Sequence, residues 1–292
     1  MHRAGFVNIV GNPNVGKSTL MNLLVGERLS IITSKAQTTR HRIMGIVNGE
    51  DYQIVYSDTP GVLRPSYRLQ ESMLNFSEGA LVDADVILYV TDTVERPEKN
   101  SDFLIKVAAT KVPTVLIINK IDLSTPEKLE ELFDLWQQIL PQAQIVPISA
   151  LEHFNTERII ERIVKLLPES PPFFEKDRLT DRSLRFFAGE IIREKILTNY
   201  DKEIPYSTEV VIEKYEEGDG LDRISATIHV ARKSQKGIII GHQGAMLKKI
   251  GTQARHDLEA FLGKKVFLEI FVKIAENWRD DEKQLRGFGY VE

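Results

Sequence analysis

The chain has 292 residues, 42% hydrophobic and 27% charged, with a formal net charge of −4 and no cysteine. Its length suits one large or two ordinary globular domains, and the missing cysteines exclude disulfides, thiolate catalysis and cysteine-ligated zinc. No apolar run approaches the ~18 residues of a membrane span, and with a net negative charge any nucleic-acid partner must be held by local charge.

Met1-His2-Arg3 leads directly into an apolar strand at 6–10 without a signal-peptide pattern, so a cytoplasmic protein is expected. After that strand stands Gly11-Asn12-Pro13-Asn14-Val15-Gly16-Lys17-Ser18, and Thr19 continues a helical stretch at 17–26. This is G-x-x-x-x-G-K-[ST] in the strand–loop–helix setting that a phosphate-binding loop requires. Its glycines let backbone N–H groups wrap a phosphate, and the helix dipole adds positive potential. Lys17 is expected to bridge the β- and γ-phosphates, and Ser18 to ligate Mg²⁺.

Thr38-Thr39-Arg40 falls in a polar segment before two alternating runs at 42–57, which flank the hairpin signal Asn48-Gly49. A threonine in that segment is placed to close over Mg²⁺ while the γ-phosphate is present. Thr39 is the first choice and Thr38 its rival, because the spacing leaves the register open. Asp58-Thr59-Pro60-Gly61 ends the second run. Asp58 is positioned to meet the metal through water, and the Gly61 N–H to meet the γ-phosphate. Alone, these four residues make an ordinary turn.

A helical stretch at 67–81 and apolar strands at 85–90 and 114–118 come next, then Asn119-Lys120-Ile121-Asp122. A carboxylate at Asp122 accepts both the ring N–H and the exocyclic amine of guanine. Adenine lacks that donor pair, and leaving the carboxylate unpaired costs roughly 10⁴-fold in discrimination. Lys120 can lay its stem over the base, and Asn119 can tie this loop to the phosphate loop. The same residues also read as a capped turn before the helix at 126–139. Ser149-Ala150 closes the strand at 144–148, where a backbone N–H can meet guanine O6, and a helix follows at 155–167. The expected fold is an α/β P-loop domain over 1–170, with a mostly parallel sheet and one antiparallel edge strand.

Three prolines and many charges without periodicity break the pattern around 168–182, and 171–182 is read as a linker. Beyond it, a helix at 183–198, strands at 208–215 and 221–231, an apolar helix end at 238–240, a helix through about 261 and a strand at 265–274 make a second, α+β domain over 183–292. Phe261, Phe267 and Phe271 are assigned to its core from their spacing. Gly241-His242-Gln243-Gly244 separates its paired helices. Between Arg223 and His256 there is no Asp or Glu, while Arg232, Lys233, Lys236, Lys248 and Lys249 all occur. A G-x-x-G loop in the order α-β-β-α-α-β with a basic strip matches a type II KH domain, which clamps single-stranded nucleotides. Ile240 beside the loop is available to pack on bases. A solvated basic face on a dimerisation domain is the rival explanation. His153, His229 and His256 lack metal-ligand spacing.

With the phosphate loop, the segment 35–43, the two guanine motifs and the KH pattern in one order, the chain resembles the Era-like family of translation-factor-related GTPases almost end to end. The resemblance implies slow, Mg²⁺-dependent hydrolysis of GTP to GDP. It also implies binding of the single-stranded 3′ region of small-subunit (16S) ribosomal RNA and a role in 30S subunit assembly. It adds peripheral membrane association and an RNA-facing C-terminal tail, and a monomer is the default. Val62 stands where Ras-type enzymes carry the glutamine that orients the attacking water. Valine cannot bond that water, so another device is needed. In some relatives an asparagine at the place of Asn14 ligates K⁺ instead, and the same is expected of Asn14. The expected catalytic set is therefore Lys17, Thr39, Gly61 and Asn14. Two other classes stay open: a constitutive RNA-binding scaffold with a structural nucleotide pocket, and a membrane-surface GTPase.

Overall fold

The structure, a computed structural model, describes residues 1–291. The chain falls into two compact units, one from Met1–Ser66 and Gln70–Asp181, the other from Tyr67–Leu69 and Arg182 onward.

The first unit is a six-stranded sheet. Its strands are β1 (Arg3–Val10), β2 (Ile43–Asn48), β3 (Tyr52–Asp58), β4 (Val86–Asp92), β5 (Thr114–Asn119) and β6 (Gln144–Pro147), in the order β2-β3-β1-β4-β5-β6. Every neighbouring pair is parallel except β2 with β3, the expected antiparallel edge. All seven residues of β4 are buried, as a strand covered on both faces must be. The covering helices are α1 (Lys17–Val25), α2 (Arg68–Val82), α3 (Ser101–Ala109), α4 (Pro126–Ile139) and α5 (Glu157–Leu166). At the start of α4, Thr125 accepts from the Lys128 N–H at 3.4 Å and Pro126 takes the first helical position.

α3 is absent from the sequence expectation. Phe103, Leu104 and Val107 are buried at helical spacing, but nine residues behind a charged, proline-containing turn carry too little periodicity to stand out. Register aligns Ile9 with Asp58, Val10 with Tyr89 and Asp92 with Asn119. The carboxyl ends of four adjacent strands therefore finish at one edge, where ligands of such sheets bind.

The segment expected as a linker is laid along the β2 edge for most of its length. The Ile46 N–H donates to the Leu179 carbonyl at 2.8 Å, and Thr180 donates its hydroxyl to the Met44 carbonyl at 2.6 Å. Gln53 accepts from the N–H groups of Phe173 and Phe174 and donates to the Phe174 carbonyl. An edge strand presents unpaired backbone groups, and this strap satisfies several of them.

The second unit contains α6 (Leu184–Asn199), β7 (Thr208–Glu216), β8 (Leu221–Val230), α7 (Lys233–Ile240), α8 (Ala245–Leu262), β9 (Lys265–Ile274) and α9 (Glu282–Gly287). β8 is central, antiparallel to β7 and parallel to β9. This is the expected α-β-β-α-α-β order, followed by a short C-terminal helix. Ile192, Ile196, Ile228, Ile239, Ile250 and Leu258 are fully buried in its core. The tail is anchored by Trp278, itself fully buried, whose indole donates to the Ser207 carbonyl at 3.0 Å.

Phe261, Phe267 and Phe271 do not belong to that core: they are 41%, 46% and 52% exposed. The helices cover one face of the three-stranded sheet, and along β9 the inward positions are Val266, Leu268, Ile270 and Val272. The phenylalanines share the opposite phase with Glu269 and Lys273, and the Arg223 guanidinium lies 5.4 Å from the Phe267 ring centre. The two charged residues mark this phase as the outer one. Phe261, near the end of α8, rests against Phe187 with ring centres 5.6 Å apart.

Candidate nucleotide site and nucleic-acid interface

Backbone crowding dictates the glycines of the phosphate loop. A Cβ on Gly11 would stand 2.1 Å from the Val90 carbonyl oxygen, and one on Gly16 would stand 2.2 Å from the Asn119 amide nitrogen. The loop runs through left-handed backbone at Asn14 (φ 67°) and Gly16 (φ 96°) before α1 begins. Lys17 is buried in this loop and donates to the Asn12 carbonyl at 2.8 Å. Burial lowers its ammonium to about 8, against the opposing pull of Asp58 and Glu95. A polyphosphate would supply the negative charge that this desolvated ammonium lacks.

Three oxygen donors converge beside Lys17. Ser18 Oγ donates to Asp58 Oδ2 at 2.8 Å, Thr39 Oγ1 donates to the same oxygen at 3.2 Å, and the two hydroxyls are 2.9 Å apart. Asp58 Oδ1 is buried without a hydrogen-bond partner, and burial raises the pKa of this carboxyl. An orphaned carboxylate oxygen among hydroxyls fits a hard dication such as Mg²⁺, which takes few protein ligands and completes its shell with phosphate and water. The geometry separates the rival threonines. Thr38 directs its hydroxyl to the Lys35 carbonyl at 2.5 Å, away from this cluster.

Asn119 joins the ends of the site. Its amide donates to the Val15 carbonyl at 2.9 Å, and its Oδ1 accepts from the Ala150 N–H at 3.0 Å. Three stretches that are far apart in the chain are thus held by one side chain. Lys120, in left-handed backbone at φ 60°, reaches from the base loop to the Asn14 carbonyl at 2.5 Å and to Asp92 at 2.7 Å. Asp122 is exposed, and its Oδ1 accepts from Ser149 Oγ at 2.6 Å, which orients the carboxylate. A groove of about 390 Å³ is lined by Pro13, Lys17, Ser18, Thr19, Thr39 and Lys120, among others.

Other expected residues shape the site from behind. Val15 is buried, Thr59 donates to the Ile9 carbonyl at 2.8 Å, and Pro60 accepts from Ser77 at 2.8 Å. Gly61 lies against Pro13, whose backbone a Cβ there would meet at 2.8 Å. Val62 turns its side chain into the core with Val10, Leu81 and Ile87, and donates its N–H to the Gly11 carbonyl at 3.1 Å. Asn14 is exposed at the groove. Asp92, Glu95 and Asn100 escape sequence reasoning. Of these, Asp92 carried a usable signal, as a carboxylate ending a strand at the same sheet edge as Asp58.

In the second unit, the G-x-x-G loop requires its glycines for conformation. Gly241 has φ 73° and Gly244 φ 79°, and a Cβ on Gly241 would also meet the Met246 side chain at 2.8 Å. His242 and Gln243 are exposed between them, and Gly244 leads into the N-terminus of α8 with its unpaired N–H groups. Arg232, Lys233, Lys248 and Lys249 are exposed, Lys236 is half-buried, and Ile240 packs partly against the core. A backbone that can be approached closely and is flanked by cations suits a phosphodiester chain.

Residues 6–120 match the family described as 50S ribosome-binding GTPase, and residues 203–279 match the KH domain family. The chain is 44% identical to the GTPase Era of Geotalea daltonii, over 98% of this chain and 97% of that protein. It is 45% identical to the GTPase Era of Syntrophus aciditrophicus, over 100% and 96%. Among solved structures, a variant of Aquifex aeolicus Era bound to GDP and AlF₄⁻ is similar with a TM-score of 0.95 and 40% identity, over 99% of this chain and 100% of that one. Era in complex with MgGDPNP and nucleotides 1506–1542 of 16S ribosomal RNA gives the same TM-score and identity, covering both chains fully.

Proposed function

The chain belongs to the GTPase Era family, and from that premise we propose that it is a Mg²⁺-dependent GTPase whose KH domain binds the 3′ region of small-subunit ribosomal RNA during 30S assembly in the cytoplasm. The observation that carries the nucleotide half is the Asn119 side chain, which bonds the phosphate loop and the Ser149-Ala150 loop at once. A ligand spanning that groove places its triphosphate at Lys17 and its purine at Asp122. When GTP is bound, Mg²⁺ neutralises phosphate charge, and Ser18, Thr39 and Asp58 are the residues that hold it. Lys17 stabilises negative charge on the β- and γ-phosphates, and the Gly61 N–H donates to the γ-phosphate.

The RNA half rests on the loop Gly241–Gly244 and on the relative bound to 16S rRNA. The two halves are coupled by affinity. RNA carrying the 3′ terminal sequence of the small-subunit rRNA is expected to bind at least about fivefold more tightly with GDPNP than with GDP, the lower end of ordinary allosteric coupling. Fluorescence anisotropy measures this. Equal affinities would leave two independent functions on one chain. A His242→Asp/Gln243→Asp variant serves as control, losing RNA in both nucleotide states while hydrolysing GTP normally.

We assign to Asn14 a monovalent cation that stands in for an arginine finger in a site where Val62 cannot orient water, supported by the exposure of its side chain at the groove. Phosphate release at equal ionic strength is expected to be at least about tenfold faster in KCl than in NaCl, a modest share of what an arginine finger contributes. Equal rates would remove the assignment.

A further inference from the structure

Behind the phosphate loop runs a chain of side-chain hydrogen bonds. Thr91 donates its hydroxyl to Glu95 Oε2 at 2.7 Å, and Asn12 donates its amide to Glu95 Oε1. Asn100 donates its amide both to Asn12 Oδ1 and, at 2.9 Å, to the Val62 carbonyl. The chain begins at a carboxylate and ends at the carbonyl of Val62, the residue after Gly61.

Its direction follows from chemistry. An ionised carboxylate accepts and cannot donate, so the Asn12 amide must turn its NH₂ toward Glu95 and its oxygen toward Asn100. Asn100 must then present its NH₂, which has one hydrogen for Asn12 and one for Val62. Reversing Asn100 would set an oxygen against the Val62 carbonyl, and reversing Asn12 would set one against the Glu95 carboxylate.

We propose that Asn100 is a positioning residue for GTP hydrolysis, holding the Val62 carbonyl, and with it the Gly61–Val62 backbone, on the phosphate loop through a chain whose polarity Glu95 sets. The inference rests on the GTPase reading above. The Val62 side chain is buried in the core, so what this position contributes to the site is the placement of its backbone. The Val62 N–H is already held by the Gly11 carbonyl, and Asn100 holds the other side of the same residue. Together they fix the segment in which the Gly61 N–H must meet the γ-phosphate. GDP lacks that phosphate, so its binding does not depend on the tether.

Glu95 also supplies a readout. Burial holds its carboxyl up at about 7, with Asp92 on the same turn adding to the shift and Lys17 from α1 and Lys99 from the following turn opposing it. Near neutral pH the chain therefore passes from a fixed to a reversible polarity.

Single-turnover hydrolysis and GDP affinity are to be measured for wild type, Asn100→Ala, Asn100→Asp and Glu95→Gln. Asn100→Ala is expected to hydrolyse about tenfold more slowly, below the hundredfold or more for a donor in direct contact, with GDP affinity kept within about twofold. Asn100→Asp should be slower still, since a carboxylate oxygen then faces the Val62 carbonyl. Glu95→Gln should fall behind wild type at pH 8 and approach it at pH 6, where the native carboxyl is itself protonated. Wild-type rates in the Asn100 variants, GDP affinity falling in step with the rate, or a wild-type to Glu95→Gln ratio constant with pH would each overturn the proposal while leaving the GTPase reading intact. A wild-type chain that neither binds nor hydrolyses GTP would overturn both.

Discussion

Replacing Lys17 by alanine is expected to lower single-turnover GTP hydrolysis by at least about a thousandfold, the upper range for removing one preorganised donor at developing charge. The ammonium lies within the loop, buried and aimed along it, with one bond to the Asn12 carbonyl at 2.8 Å. No other cation is so deeply set in the phosphate loop. Lys120, also on the groove wall, is committed to Asp92 and the Asn14 carbonyl at the base end.

The same burial makes the stability of the ligand-free variant informative. Lys17 titrates at about 8 rather than 10.5, so between those values the unfolded chain binds more protons than the folded one. Stability therefore rises with pH across that window, and below about 8 the folded protein carries the full cost of a desolvated ammonium. At pH 7 the ligand-free alanine variant should melt no lower than wild type, yet gain nothing from added GTP. A variant that hydrolyses within tenfold of wild type, or that melts far below it without ligand, would show that Lys17 supports the loop rather than the phosphates.

The second large effect concerns the base. Asp122→Asn is expected to exchange guanine for xanthine, because the side chain then offers a donor where xanthine presents a carbonyl in place of the guanine amine. The carboxylate is already oriented by the Ser149 hydroxyl at 2.6 Å, and an amide of the same shape fits that bond. GTP affinity should fall by about 10⁴-fold, the discrimination typical of a site built to hydrogen-bond its substrate, and XTP should bind more tightly than GTP. A variant that still prefers GTP would place base recognition elsewhere.

Phosphate and guanine recognition were legible in the sequence because each narrows the residue choice at a set position. Gly11 and Gly16 have no room for a Cβ, Lys17 must be a long cation, and Asp122 must be an acceptor. What was not legible depends on folding bringing distant residues together. Asn12, Glu95 and Asn100 meet only because β1 and β4 are neighbours, and nothing near Glu95 or Asn100 repeats with a period. The choice between Thr38 and Thr39 needed the path of an irregular segment, which follows no periodic rule. The stretch after α5 read as a tether because its hydrogen-bond partners belong to β2 and β3, not to itself. For Phe267 and Phe271, alternation revealed the strand but both phases were rich in apolar residues. The charges of Glu269 and Lys273 were the cue to the outer face.

Selection of guanine by Asp122 and grip on the triphosphate by Lys17 and the loop amides stand beneath every other step. Calorimetric titration of the full-length wild-type chain with GTP and with ATP, both with Mg²⁺, tests this most directly. GTP should bind in a single site and ATP at least about 10⁴-fold more weakly, which in practice means no measurable heat. Comparable affinities for the two purines, or no binding of GTP, would contradict the account.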